Sequence, residues 1–212
     1  MYKQNQDEPS VSDFNRIRTQ TGFLLESTRQ EFVQVIDKYI QESFTEGLRE
    51  AEKDLSLKAN SLTDFSKESA VTTILQDNAK TLNFELFDAI EKEVTLFLTN
   101  AELNEIKFTN KKMKDEVLSI MGKYAPRLGS QIVTETTRAA NTGIDFGYKQ
   151  SGLVTHKQWV ARIDDKTSSI CSNGNGEVRE IGQPFSTGDY GAPFHVNCRS
   201  RIESITISQA EQ

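Results

Sequence analysis

Gln158-Trp159-Val160-Ala161-Arg162-Ile163 is where the periodicity of this chain changes. Trp159, Ala161 and Ile163 alternate with Gln158, Val160 and Arg162, the period of two expected of a strand with one buried face. Upstream of it, apolar residues recur every three or four positions, as on amphipathic helices. The chain therefore reads as α+β: a helical N-terminal hairpin or bundle, then a small domain of one helix packed on an antiparallel sheet.

Downstream of the strand, Asn173-Gly174-Asn175-Gly176 supplies residues that accept positive φ. It predicts a turn, with Val178–Ile181 as the return strand. Residues 182–197 carry Gly182, Pro184, Gly188, Gly191 and Pro193 and read as a loop. In 199–207, Ile205 and Ile207 share one parity and Ile202 the other, a phase switch that predicts a bulge or bend.

Immediately upstream, Gly129 to Gly152 reads as a helix with Ala139, Ala140 and Gly143 on one side, where another element can approach closely. Thr134, Glu135, Arg138 and Asn141 are neighbours on it and read as a solvated polar face with a Glu–Arg pair. Ten of the twelve glycines and three of the four prolines lie beyond position 121, and Leu48 to Met121 holds neither. Helices there meet no breaker until Gly122-Lys-Tyr-Ala-Pro126, which marks a boundary. From about 22 to 54, Leu25, Phe32, Val33, Ile36, Ile40 and Phe44 make one apolar stripe. From about 62 to 99, Phe65, Ile74, Leu75, Leu82, Leu86, Ile90, Val94 and Phe97 make another, with Phe84, Phe87 and Leu98 off it. Met113, Val117 and Ile120 make a third over 111–121. The plan is then a flexible arm (1–20), a helical docking region (21–125), an α+β domain (126–207) and a tail (208–212).

Composition bounds the function. Apolar residues make up 36% of the 212, which predicts a modest core. No apolar run is long enough to span a bilayer, and the N-terminal residues lack a signal-peptide character. A net charge of −6 and a pI near 5.1 oppose strong nucleic-acid binding.

Both cysteines and both histidines fall in the last sixty residues. His195 and Cys198 have a spacing that two metal ligands on one loop can use, Cys171 offers a third, and Asp164 or Asp165 a fourth. A structural zinc site shows two full ligand pairs and here one pair is half missing, so the expectation is no cofactor, with zinc as the alternative. A Cys171–Cys198 disulfide is a second reading, which a reducing cytosol opposes. The leading reading is the third: two partly buried thiols, with His195 hydrogen-bonded to backbone as a structural post. Nucleophilic or acid/base chemistry can also be drawn from His195 with Asp165 or Glu135 as partner and Arg199 as anion clamp. No nucleophile elbow, phosphate loop or paired zinc-protease histidines accompany it.

The order of the pieces is distinctive: Thr134-Glu135-Thr136 on a helix, the Trp159 strand, Asp165-x-Thr167-x-x-x-Cys171, a Gly-bearing turn, then Pro193-x-His195-x-Asn197-Cys198-Arg199 and a terminal strand. It resembles the C-terminal domain of the phage Mu F-like minor head proteins over roughly residues 126–207. Ser168 and Ser200 stand where many of that family have cysteine. The resemblance implies a minor capsid, head-morphogenesis protein of a tailed bacteriophage, a virion component inside the capsid near the portal. It would be assembled in the host cytoplasm and serve head assembly or genome delivery. Portal, scaffold or major capsid protein are the implied partners. Thr134, Glu135, Trp159, Thr167, His195, Asn197 and Arg199 would form a clasp that closes the C-terminal loop on the helix. An ejected effector enzyme, nuclease or toxin-like hydrolase, is the alternative.

Overall fold

The computed structural model describes residues 11–58, 61–62, 70–104 and 110–206. Phe65, Ile207, the first half of the expected arm and the expected tail lie outside them. The fold is α+β. Helices α1 (Val11–Asp54), α2 (Ala70–Leu103), α3 (Asn110–Gly122) and α4 (Ala125–Ser151) precede β1 (Val154–Val160), a short α5 (Ser169–Gly174), β2 (Val178–Glu180) and β3 (Arg201–Thr206). No described helix is long and apolar enough to cross a membrane.

Packing gathers these elements into two compact units, Met1–Gln34 with Lys80–Gly129, and Val35–Ala79 with Ser130–Gln212. In the first, Phe14, Ile17 and Leu25 of α1 are buried with Phe87, Ile90, Val94, Leu98 and Ala101 of α2 and Met113, Val117 and Ile120 of α3. The expected arm is corrected here: the chain is helical from Val11, and Phe14 and Ile17, three apart, are core. Arg18 reaches Glu102 at 2.7 Å and Arg29 reaches Asp88 at 2.5 Å, so contacts advance along α1 as they retreat along α2, an antiparallel hairpin. On α2 the buried stripe runs Leu86, Phe87, Ile90, Val94 and Leu98, whereas Leu82 and Phe84 are exposed. Asn83 lies in this core, 1% exposed, with neither amide atom hydrogen-bonded among the described residues.

The second unit depends on a close helix crossing. A Cβ added at Gly143 of α4 would lie 2.2 Å from the Phe44 carbonyl oxygen of α1, and one at Gly47 of α1 would lie 2.0 Å from the Ala140 carbonyl oxygen. At Gly147 an added Cβ would lie 2.6 Å from the Ala51 Cβ, again too close to fit. Only hydrogen fits at these positions, as the small side of the 129–152 helix predicts. This contact draws residues 35–54, which composition groups with the docking region, into the packing of the C-terminal part. The described part of α2 that belongs here, residues 70–79, buries Leu75 and Ala79 but leaves Ile74 exposed.

The sheet has the order β2-β1-β3, antiparallel throughout. Trp159 and Ala161 are buried as expected, but Ile163 lies beyond β1 and is exposed. The irregularity predicted near 199–207 does fall in the β1–β3 ladder, with its extra residue on β1. Val154 pairs with Thr206 and His156 with Ile205, leaving Thr155 as the bulge. It flips the parity of β1, so Val154, Lys157 and Trp159 can all face inward. The expected turn at 173–176 starts later than predicted. Residues up to Gly174 are helical, Asn175 ends α5, and Gly176 takes φ +88°.

Trp159 centres this core. It stacks on Phe194 with ring centroids 3.5 Å apart and meets Phe185 edge-on at 5.9 Å. Gly174 backs onto the indole so closely that a Cβ would overlap it. Lys157 is fully buried, 3.0 Å from Asp145; burial lowers its ammonium pKa and Asp145 opposes the fall.

Three substitutions test this account. Gly143→Ala should lower the thermal midpoint although alanine is the better helix former, whereas Gly129→Ala, in open space on the same helix, should not. Circular-dichroism melts read both glycine variants. Asn83→Leu removes two unmet polar groups and should stabilise the chain by about 1–3 kcal/mol in urea unfolding.

Candidate metal centre

One face of α4 organises the site. Ser130, Thr134, Thr137 and Asn141 are spaced four, three and four apart, so they share a face. The chain from 197 to 202 lies along it. Asn197 donates its amide N–H to Thr134 Oγ1 (3.1 Å) and its side-chain amide to Ser130 Oγ (3.0 Å). Thr137 Oγ1 donates to the Cys198 carbonyl (3.1 Å). Asn141 donates to the Ser200 carbonyl (3.3 Å) and accepts from the Ile202 N–H (2.9 Å). This corrects the solvated reading of these polar residues: Asn141 on this face is 4% exposed, and Glu135, elsewhere on α4, is 1% exposed. Glu135 pairs with Arg138 at 3.1 Å, as the Glu–Arg spacing predicts.

Asn197 adopts φ +59°, and the turn it makes returns Cys198 N–H to the His195 carbonyl at 3.2 Å. From the other side, Ser168 caps α5, accepting the Cys171 N–H at 3.2 Å, and so fixes Cys171 in the first turn. The two pieces meet: Cys171 Sγ lies 3.0 Å from His195 Nε2 and 3.6 Å from Cys198 Sγ. The three ligand atoms lie within 4.8 Å of one another, with both cysteines buried. Such a cluster could hold a metal ion.

The imidazole is oriented for that task. His195 Nδ1 lies 2.8 Å from the Val196 carbonyl, which can only accept, so Nδ1 carries the proton. In the neutral ring, Nε2 then presents its lone pair towards Cys171 and Ser168. A backbone carbonyl on the far nitrogen is the usual partner of a ligating histidine. Ser200, 4% exposed, donates its hydroxyl to Cys171 Sγ at 3.1 Å. Burial pushes the Cys171 thiol pKa up, while Ser200 and Ser168 pull it back.

The carboxylates sit elsewhere. Asp165 is exposed and gives the cluster no ligand atom, contrary to the sequence expectation. Asp164 is the structural one: Arg199 grips both its oxygens at 2.6 Å. Thr167 closes that corner, accepting the Asp164 N–H at 2.7 Å and donating to the Arg162 carbonyl at 2.8 Å. Of the expected clasp, Thr134 and Asn197 bond directly across the loop and helix, whereas His195 turns to α5 and Trp159 stands in the core. Ser168, Ser200, Ser130 and Thr137 were not legible as participants; a serine three residues before Cys171 was the one available cue, as an N-cap.

Arg199 holds the Asp164 carboxyl well below the usual carboxylate range, with the Lys166 N–H and Arg162 adding to it. A depressed native pKa contributes stability above the unfolded value of about 3.9, and that contribution is lost as pH falls through the native value. Arg199→Ala should raise the Asp164 pKa towards the ordinary range and move acid unfolding to higher pH, read by NMR titration and circular dichroism. Searches of family models, curated proteins and solved structures returned no match to this chain.

Proposed function

We propose that this chain is a minor head protein of a tailed bacteriophage, of the Mu F-like kind, and that its C-terminal loop is closed by zinc on Cys171, His195 and Cys198. The observation that carries the reading is the convergence of the block Pro193-x-His195-x-Asn197-Cys198-Arg199 with Cys171 and with the Thr134 face of α4. Residues far apart in sequence, and singled out by the resemblance, share one small volume.

The donor set fits zinc. Two thiolates and one imidazole suit this borderline-soft ion, and tetrahedral coordination sets sulfur–sulfur edges of about 3.8 Å and sulfur–nitrogen edges of about 3.5 Å. The cluster shows 3.6 Å between the sulfurs and 3.0 Å from Cys171 to the imidazole, with all three donors within 4.8 Å of one another, so the donors stand near those edges and a shift of His195 relative to both sulfurs would complete them. Bound zinc supplies folding free energy by tying α5 to the loop. The protein's own part is to pre-orient the imidazole through Val196 and to hold Cys198 through Thr137.

An assembly role fits better than catalysis. The space beside Cys171 and His195 is about 10 Å³, far below a substrate pocket. The groups an enzyme would need are engaged or remote: Glu135 by Arg138, Arg199 by Asp164, and Asp165 exposed. With a net charge of −6, the chain gains nothing from packaged DNA and would be held in the capsid interior by protein contacts, with the portal the first candidate.

Full-length protein purified under reducing conditions should carry one zinc per chain by elemental mass spectrometry, and Cys198→Ser should lose it. Immobilised portal protein should retain the full chain. Absence of zinc refutes the metal centre; no retention by portal, scaffold or coat protein refutes the head assignment.

A further inference from the structure

The two sulfurs have a relationship that metal binding alone does not exhaust. Cys171 and Cys198 come from α5 and from the far end of the loop, yet their Sγ atoms are 3.6 Å apart. Access to them is unequal. Cys198 is wholly buried, whereas Cys171 lines a slot walled by Thr167, Ser168, His195, Asn197 and Arg199. The slot offers about 10 Å³, roughly the room of one water-sized molecule. That excludes an oxidant as bulky as a glutathione disulfide and leaves small two-electron oxidants, of which hydrogen peroxide serves as the probe.

We infer that Cys171 and Cys198 form a peroxide-sensitive dithiol, in which Cys171 is attacked first and Cys198 resolves it to an intramolecular disulfide. Cys171 sulfur attacks one peroxide oxygen as the O–O bond breaks. The thiol proton passes by way of His195 Nε2, 3.0 Å away, to the displaced hydroxide, which leaves as water. Cys171 is then a sulfenic acid, oxidised by two electrons. Cys198 sulfur attacks Cys171 Sγ, the S–O bond breaks, and hydroxide takes the Cys198 proton and leaves as a second water. The sum is two thiols and one peroxide giving one disulfide and two waters.

The disulfide uses the same sulfurs that zinc would use, so the loop has two exclusive fastenings, one reduced and metal-bound and one oxidised and metal-free. The inference does not need the metal, and the test keeps them apart. Full-length protein is treated with chelator, reduced, freed of reductant and exposed to hydrogen peroxide. Both thiols should disappear together in a denaturing thiol count, the intact mass should fall by two hydrogens, and a non-reducing gel should show monomer. Cys198→Ser should trap a sulfenic acid at Cys171 that a cyclic dione captures, and Cys171→Ser should give no such adduct at Cys198. Cys171 over-oxidised beside a free Cys198, both thiols surviving, a disulfide-linked dimer, or a dione adduct at Cys198 would each overturn the inference. A chain that binds no zinc but closes this disulfide overturns the metal reading and leaves this one standing.

Discussion

Backbone touching backbone where α1 crosses α4 is the constraint on which the second unit rests. Gly47, Gly143 and Gly147 leave no space for a side chain, and the nearest atoms at the first two are carbonyl groups that cannot swing aside. An α4 fixed in this way presents two other surfaces at set angles. Ile144 and Tyr148 enter the aromatic core, and Ser130, Thr134, Thr137 and Asn141 meet the last strand and its approach. Glycine in a helix costs about 1 kcal/mol relative to alanine, so its presence at successive contact positions is intelligible only through the closeness it permits.

The long stretch between β2 and β3 has almost no regular structure, and its backbone needs other partners. Phe185 and Phe194 anchor it by packing on Trp159, and the α4 face takes up its polar groups from 197 onward. The thiol–imidazole cluster lies between those two anchors. Small domains that bury little apolar surface commonly add a covalent or metal cross-link, and the cluster is placed to join α5 to the end of this stretch.

The change of period at Trp159, the small side of the 129–152 helix and the return strand were legible because each depends on local residue type. Other features were not. Phe14 and Ile17 sit in so polar a setting that only their burial under α2 and α3 reveals a helix. Thr134 and Asn141 look the same in sequence whether water or protein covers them, and here the chain from Asn197 to Ile202 hydrogen-bonds to both. Asp164 and Asp165 are adjacent and chemically alike; the choice between them is made by Arg199, thirty-five positions away. The bulge was sensed through the parity of the β3 isoleucines, but the extra residue belongs to its partner strand, a pairing that no single segment encodes.

The solitary indole of the chain is sealed inside the protein, its N–H without an acceptor among the described residues, one ring of it against Phe194 and another edge against Gly174. Phe194 directly precedes His195, and Gly174 closes the helix that begins beside Cys171. Emission from Trp159 therefore comes from a fluorophore wedged between the two segments that carry the sulfur and imidazole donors. The molecule contains its own optical gauge of whether those segments are joined, and no extrinsic dye is needed to follow it.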